Sequence, residues 1–169
     1  MSDIQVLLAI KNGEKYLAEL LTSLVEQKEC EIHLIVGFDN TNDRSETILE
    51  SFKSGFKTLT VYRNNFGHYK ENFNFLFSNR LNGMPLAFCD QDDVWLPTKI
   101  QNSLQILSMK KIPTLVTSPV IIMDTRKVFP SKVLLTQTSS IFVNPSKGCT
   151  QVLNVELQEL IESLGGFSD

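Results

Sequence analysis

Asp90, Asp92 and Asp93 put three carboxylates within four residues, directly after the apolar run Leu86–Cys89 and before Val94-Trp95-Leu96-Pro97. Carboxylates this close repel one another unless protons or a cation neutralise them. Hard oxygen ligands of this kind favour Mg²⁺ or Mn²⁺, usually completed by phosphate oxygens and water. An acidic turn that caps the following helix is the alternative, since carboxylates also favour helix N-termini. The apolar residues on both sides weigh against a role confined to the surface. Two more polar positions follow apolar runs in the same way: Lys11-Asn12 after Gln5–Ile10, and Asp39 after Ile32–Phe38.

Strands and helices must alternate to place these clusters together. Gln5–Ile10 reads as a strand that ends at the turn pair Asn12-Gly13. From Glu14 the apolar period becomes helical, through Leu17, Leu20, Leu21, Leu24 and Val25, to near Gln27. Ile32–Phe38 is a second strand, followed by the turn formers Asp39 to Asp43. Asp43 with Glu46 resembles a helix N-cap, and Ile48, Leu49 and Phe52 supply the buried face behind it. Leu59–Tyr62 is a third strand, and a helix carrying Phe73, Leu76 and Phe77 follows the loop Asn64–Gly67. Leu86–Cys89 is the fourth strand, and Pro97 suits the first turn of the next helix. Such alternation implies a parallel α/β sheet with its ligand at the carboxyl ends of the strands. After Pro113 the texture changes. Thr114–Met123, Lys132–Val143 and Gln151–Leu153 read as strands, and Leu157–Leu164 as a last helix capped by Gly165-Gly166.

Bulk properties narrow the function. A chain of 169 residues with 42% hydrophobic residues is the size of one globular domain. Its net charge of -3 argues against nucleic acid as the main partner, because phosphate contacts need clustered Lys and Arg. Lys110-Lys111 and Lys127 read as solvated surface. Cys30, Cys89 and Cys149 stand about sixty residues apart, which fits free thiols and neither a metal site nor a disulfide scaffold. Met1-Ser2-Asp3 lacks a basic leader and Val6–Ile10 is too short for a signal peptide, so a cytoplasmic location is expected, at or near the inner face of the membrane.

The order of these segments resembles family 2 glycosyltransferases, particularly the bacterial rhamnosyltransferase-like group. The resemblance starts at Val6–Leu17, continues through Ser23–Gln27, Asp39 and the Asn72-Phe73 helix, and returns weakly at Gly148-Cys149-Thr150. Its most specific stretch is Phe88-Cys89-Asp90-Gln91-Asp92-Asp93-Val94-Trp95-Leu96-Pro97. It implies a GT-A, Rossmann-like α/β fold: a central, mostly parallel sheet flanked by helices, with a more strand-rich C-terminal part. One domain is expected over 1–169, with a nucleotide-sugar donor half over 1–97 and an incomplete acceptor half over 98–169.

The resemblance also implies roles. Asp39 matches the second Asp of the family's Asp-Asp-Gly-Ser segment and would accept a hydrogen bond from a pyrimidine base. Asp92 matches the metal ligand that grips the donor diphosphate, with Asp90 completing the pair and Mn²⁺ or Mg²⁺ as the cofactor. Ala9 and Lys11 fall at the donor site, Asp93 and Trp95 would face the sugar and acceptor, and Lys70 could neutralise phosphate, although a solvated lysine fits it as well. The partners implied are a UDP- or dTDP-linked sugar and a glycan acceptor. Departures are equally specific. Ile10-Lys11 replaces the family's Thr-Tyr pair, Phe38 replaces the first Asp, and Asn40-Thr41-Asn42-Asp43-Arg44 replaces Gly-Ser-Thr-Asp-Gly.

Inverting enzymes of this type take a proton from an acceptor hydroxyl with a carboxylate. In the family that base lies beyond the segment matching Glu156–Leu164, often in a His-Asp pair. The two histidines here, His33 and His68, read as structural or solvated, and Asp169 is terminal. The expectation is therefore that the chain stops before the base, leaving Asp93, Asp124 and Glu156 as the remaining candidates. A helix Leu157–Leu164 without its full cover is expected to leave a self-associating surface. Two functions are carried: a metal-assisted, inverting sugar transferase, and a nucleotide-sugar-binding fragment without turnover. A phosphotransferase lacks the Gly-rich loop and nucleophile it would need.

Overall fold

The computed structural model describes residues 2–129 and 150–166. In chain order the elements are β1 (Ser2–Ile10), α1 (Leu17–Val25), β2 (Cys30–Asp39), α2 (Ser45–Ser51), a 3₁₀ turn (Lys53–Gly55), β3 (Thr58–Asn64), α3 (Tyr69–Ser78) and β4 (Leu86–Asp90). There follow α4 (Lys99–Ser108), β5 (Leu115–Thr117), β6 (Val120–Ile121), β7 (Val128–Phe129), β8 (Gln151–Leu153) and α5 (Val155–Ser163). A six-stranded sheet has the order β3-β2-β1-β4-β8-β5, and β6 and β7 form a separate pair. The strands β3, β2, β1 and β4 run parallel, whereas β8 is antiparallel to both of its neighbours. This is the mostly parallel α/β sheet that the resemblance implied, its parallel part built by the alternating strands and helices.

Strand alternation sorts the core onto two faces. Val6, Leu8 and Ile10 of β1, with Leu34, Val36 and Phe38 of β2, pack with Leu17, Leu20, Leu21 and Leu24 of α1, Leu49 of α2 and Ile100 and Leu107 of α4. Leu7, Ile35, Leu86 and Phe88 point the other way, toward Leu76 and Phe77 of α3, with Leu157 and Ile161 of α5 alongside. Strands buried on both faces are near-continuous apolar runs, as a covered parallel sheet requires.

Several boundaries moved for identifiable reasons. The first helix begins at Leu17 and not Glu14, because Asn12 takes a left-handed φ of 52° and the chain turns before it coils. The first residue outside α2 is Arg44. Asp43 still caps from one position further out, its carboxylate accepting the Ser45 N–H at 3.0 Å and the Ser45 hydroxyl at 2.6 Å. Pro97 precedes Thr98, the residue flanking α4, so it sits in the approach and not in the first turn. Thr114–Met123 is two short strands and not one, since Pro119 between them has no N–H to give a ladder. Lys132–Val143, Gly148 and Cys149 lie outside the described residues. At the other end Gly165 and Gly166 adopt φ of 96° and 84°, and the Gly166 N–H returns to the Ile161 carbonyl at 2.9 Å.

The seat of α3 on the sheet depends on one glycine. Asn72, 1% exposed, donates to the Gly37 carbonyl at 2.7 Å and accepts from Asn64 at 3.1 Å. A Cβ on Gly37 would stand 2.2 Å from Asn72 Oδ1. Gly37→Ala is expected to lower stability by about 2 kcal/mol, through overpacking and loss of these bonds. Urea unfolding checks this; a midpoint equal to the parent's would mean that α3 shifts freely.

Candidate functional site

The strand order reverses at β1, with β2 on one side and β4 on the other, so the carboxyl ends of β1 and β4 frame a switch-point crevice. Ala9 is paired with Asp90 across it, and Ala9 is also paired with Gly37, two residues before Asp39. By alternation Ala9, Asp39 and Asp90 share the face of Leu7, Ile35 and Phe88, the side that carries α3. The small side chain of Ala9 therefore lies between two carboxylate-bearing strand ends.

Asp39 is 2% exposed. Its Oδ1 accepts the N–H groups of Phe66 at 2.7 Å and Gly67 at 3.0 Å, which ties the β3–α3 loop to the end of β2. Both bonds fall on one oxygen, so Oδ2 takes neither. Lys11 is exposed, and its Nζ donates to the Gly67 carbonyl at 3.4 Å. Lys70 is the second residue of α3 and is exposed. Its N–H is accepted by His68 Nδ1 at 3.2 Å, so His68 serves as the cap of α3.

Asp90 is half-buried, Asp92 exposed and Asp93 half-buried. Burial, reinforced by the charges of Asp93 and then Asp92, pushes the Asp90 carboxyl up to about 6. Clustered negative charge of this kind fits a divalent cation, and the donors are hard oxygens. Among the described residues no three His, Cys, Asp or Glu side chains are gathered closely enough to hold a metal by themselves. Phosphate oxygens and water would have to complete such a site.

A raised carboxylate pKa means that the fold binds the proton more tightly than the unfolded chain does. Its ionisation therefore lowers stability as pH rises from about 4 to above 6. Asp90→Asn is expected to be more stable than the parent at pH 7.5 in EDTA, by about 1 kcal/mol after allowance for solvent screening. Parity is expected below about pH 4, where both side chains are neutral. Thermal midpoints at the two pH values check it, and a gap that does not change with pH would contradict it.

Trp95 is not brought into the crevice. Its ring is 4% exposed in the larger core cluster, on the side of α1 and α4. Its backbone N–H is held by Ser23 Oγ at 3.0 Å, and the Lys99 ammonium lies 3.5 Å from the ring centroid. The bulk of the indole is better satisfied in that core than at a polar edge. A different hollow, of about 780 Å³, opens between the start of α1 and α2, where Asn12, Glu14, Lys15, Asp43, Arg44 and Thr47 are among its lining residues. No residue of the acidic run lines it.

In the sequence, Asn72 and Gln91 stand only within stretches that carry the family resemblance, with no role implied for either. A buried polar residue on a core-facing helix position is the cue that marks Asn72.

A sequence model of glycosyl transferase family 2 matches residues 5–154. The chain belongs to this family. The dTDP-rhamnosyl transferase RfbG of Shigella flexneri is 31% identical over 105 residues, which are 59% of this chain and 36% of that protein. An uncharacterized glycosyltransferase of Rickettsia typhi is 29% identical over 105 residues, 62% of this chain and 32% of the relative. Among solved structures, S. aureus TarS 1-349 in complex with UDP-GlcNAc superimposes with a TM-score of 0.79 at 20% identity, covering 98% of this chain and 48% of that one. The mannosyltransferase PcManGT of Pyrobaculum calidifontis, in complex with GDP-Man and Mn²⁺, gives 0.72 at 16% identity, covering 98% and 47%. These likenesses establish the GT-A fold of the family 2 domain. The chain spans about a third of the length of its curated relatives and about half of these structural neighbours. Among the described residues no helix of this family 2 domain is long and apolar enough to cross a membrane.

Proposed function

We propose that this family 2 domain binds a pyrimidine nucleoside-diphosphate sugar in the β1–β4 crevice and serves its metal-assisted, inverting transfer to a hydroxyl of a glycan acceptor. The observation that carries this reading is the placement of Ala9, Asp39 and Asp90 on one face at the switch point. Asp39 would receive the N3–H of uracil or thymine on the oxygen not used by the 66–67 loop. Ala9 gives the donor room to lie across β1. Lys11 and Lys70, exposed at the same edge, would meet phosphate charge. Asp92 and Asp90 would hold Mn²⁺ or Mg²⁺, whose chemistry is to neutralise the diphosphate as it leaves. Asp93 would stand toward the sugar and acceptor. RfbG is named for a dTDP-linked sugar and TarS is seen with UDP and UDP-GlcNAc, which supports a pyrimidine base, whereas PcManGT is seen with GDP-Man.

A second reading, donor binding without turnover, is favoured by the placement of the candidate bases. Asp124 lies between β6 and β7 and Glu156 on α5, so of the three only Asp93 is in the acidic loop. Calorimetry with UDP, dTDP, GDP and ADP in Mn²⁺ tests the donor site common to both readings. UDP and dTDP are expected to bind at least about tenfold tighter than ADP, because adenine has no ring N–H to donate to the Asp39 carboxylate, while GDP, whose guanine N1–H can donate, controls for ring size. Equal affinities across the four would remove Asp39 from base recognition.

A further inference from the structure

Gln91 separates Asp90 from Asp92 and has no charge to offer a cation. Its amide closes instead on the backbone of Lys11: Oε1 accepts the Lys11 N–H at 2.8 Å, and Nε2 donates to the Lys11 carbonyl at 3.1 Å. The backbone pairing of β1 with β4 ends at Ala9 and Asp90. Gln91 continues it with a side chain, past the point where the two strands diverge into their loops. Gly13 makes room for this clasp, because a Cβ there would stand 3.0 Å from Gln91 Oε1. The Lys11 ammonium reaches the Gly67 carbonyl at 3.4 Å, and Gly67 is held by Asp39. A continuous set of bonds therefore runs from Asp39, through residues 66–67 and Lys11, to the residue between the two cation-binding carboxylates.

We propose that Gln91 is a positioning residue that holds the acidic loop in register with the β1 loop, so that Asp39 and the Asp90–Asp92 pair grip opposite ends of one nucleoside diphosphate. This rests on the reading of the crevice as a donor site. A side chain that only stabilised the fold would affect all ligands alike. A positioning residue affects the ligand that must span both loops, and spares a nucleoside that reaches Asp39 alone.

The test uses the full chain with three titrants: uridine, UDP, and UDP with Mn²⁺. Gln91→Met keeps the side-chain length and removes both hydrogen bonds. UDP affinity in Mn²⁺ is expected to fall about tenfold, the scale of one or two neutral hydrogen bonds. Uridine affinity is expected to stay within about twofold, because its contact to Asp39 is untouched. Gly13→Ala, which leaves Gln91 in place and crowds its amide, is expected to show a smaller loss of the same kind. Hydrogen exchange at the Lys11 amide, slow in the parent and faster in Gln91→Met, reports the clasp without any ligand. If the parent gains nothing from Mn²⁺, the donor-site reading fails first and takes this inference with it. If the parent shows the gain and both variants retain it, or if uridine is lost in step with UDP, the positioning role is overturned while the donor site stands.

Discussion

Asp39→Ala is expected to weaken UDP binding by about 10- to 100-fold, the range for one hydrogen bond to a charged group in a buried setting. The same change strips the Phe66 and Gly67 N–H groups of their acceptor. Both residues are exposed, so water can replace the carboxylate in part, and the loss of stability is expected to be about 1–2 kcal/mol. Asp39→Asn separates these two roles. Its amide oxygen can still accept from the loop, which keeps the fold, but its NH₂ then meets the uracil N3–H donor to donor. Cytosine presents an unprotonated N3 instead. The Asn variant is therefore expected to lose UDP and to bind CDP better than the parent does. Calorimetry with the two nucleotides checks the exchange; an Asn variant that still prefers UDP would place the base elsewhere.

Asp92→Ala is expected to change sign with the cation. With Mn²⁺ present, UDP affinity should fall at least about 10- to 100-fold, since loss of even an outer-shell group that orients a metal ligand has that effect and Asp92 is proposed as a ligand itself. Without metal the variant should bind UDP slightly tighter than the parent, since one exposed carboxylate no longer repels the diphosphate, an effect of about 1 kcal/mol or less in water. Stability should stay within about 0.5 kcal/mol, because Asp92 is on the surface. Titrations in Mn²⁺ and in EDTA, on parent and variant side by side, give all four affinities. Equal affinities for parent and variant in Mn²⁺ would remove Asp92 from the metal site.

How much of this was legible before the fold was known can be judged residue by residue. The alternation of Gln5–Ile10, Leu17–Val25 and Ile32–Phe38 carried the sheet, since two-residue and helical periods differ sharply where the core is apolar. The position of Asp39 and Asp90 at strand ends was legible because polar residues that follow apolar runs close the strands. Trp95 was misplaced for a physical reason. It follows the acidic run in sequence, but the chain crosses to the α1 side within those residues, and adjacency along the chain does not preserve the face. Gln91 stood within the most specific stretch of the resemblance, but its role was not legible, because a side chain that hydrogen-bonds backbone depends on where the partner strand ends. Leu157 and Ile161 of the last helix found cover against the α3-side core, whereas Leu160 and Leu164 are 42% and 73% exposed. The period of that helix was readable, and the extent of its burial was not.

We propose that one crevice holds both ends of a nucleoside diphosphate, with the base at Asp39 and the cation at Asp90 and Asp92. A crystal structure with UDP and Mn²⁺ tests this most directly. Expected are an anomalous manganese peak about 2.0–2.3 Å from the Asp92 carboxylate, close to the distances of hard oxygen ligands, and uracil N3 within hydrogen-bonding distance of Asp39, on the α3 side of β1. Nucleotide seated instead in the hollow between α1 and α2, beside Glu14 and Arg44, with no manganese at the acidic loop, would contradict it.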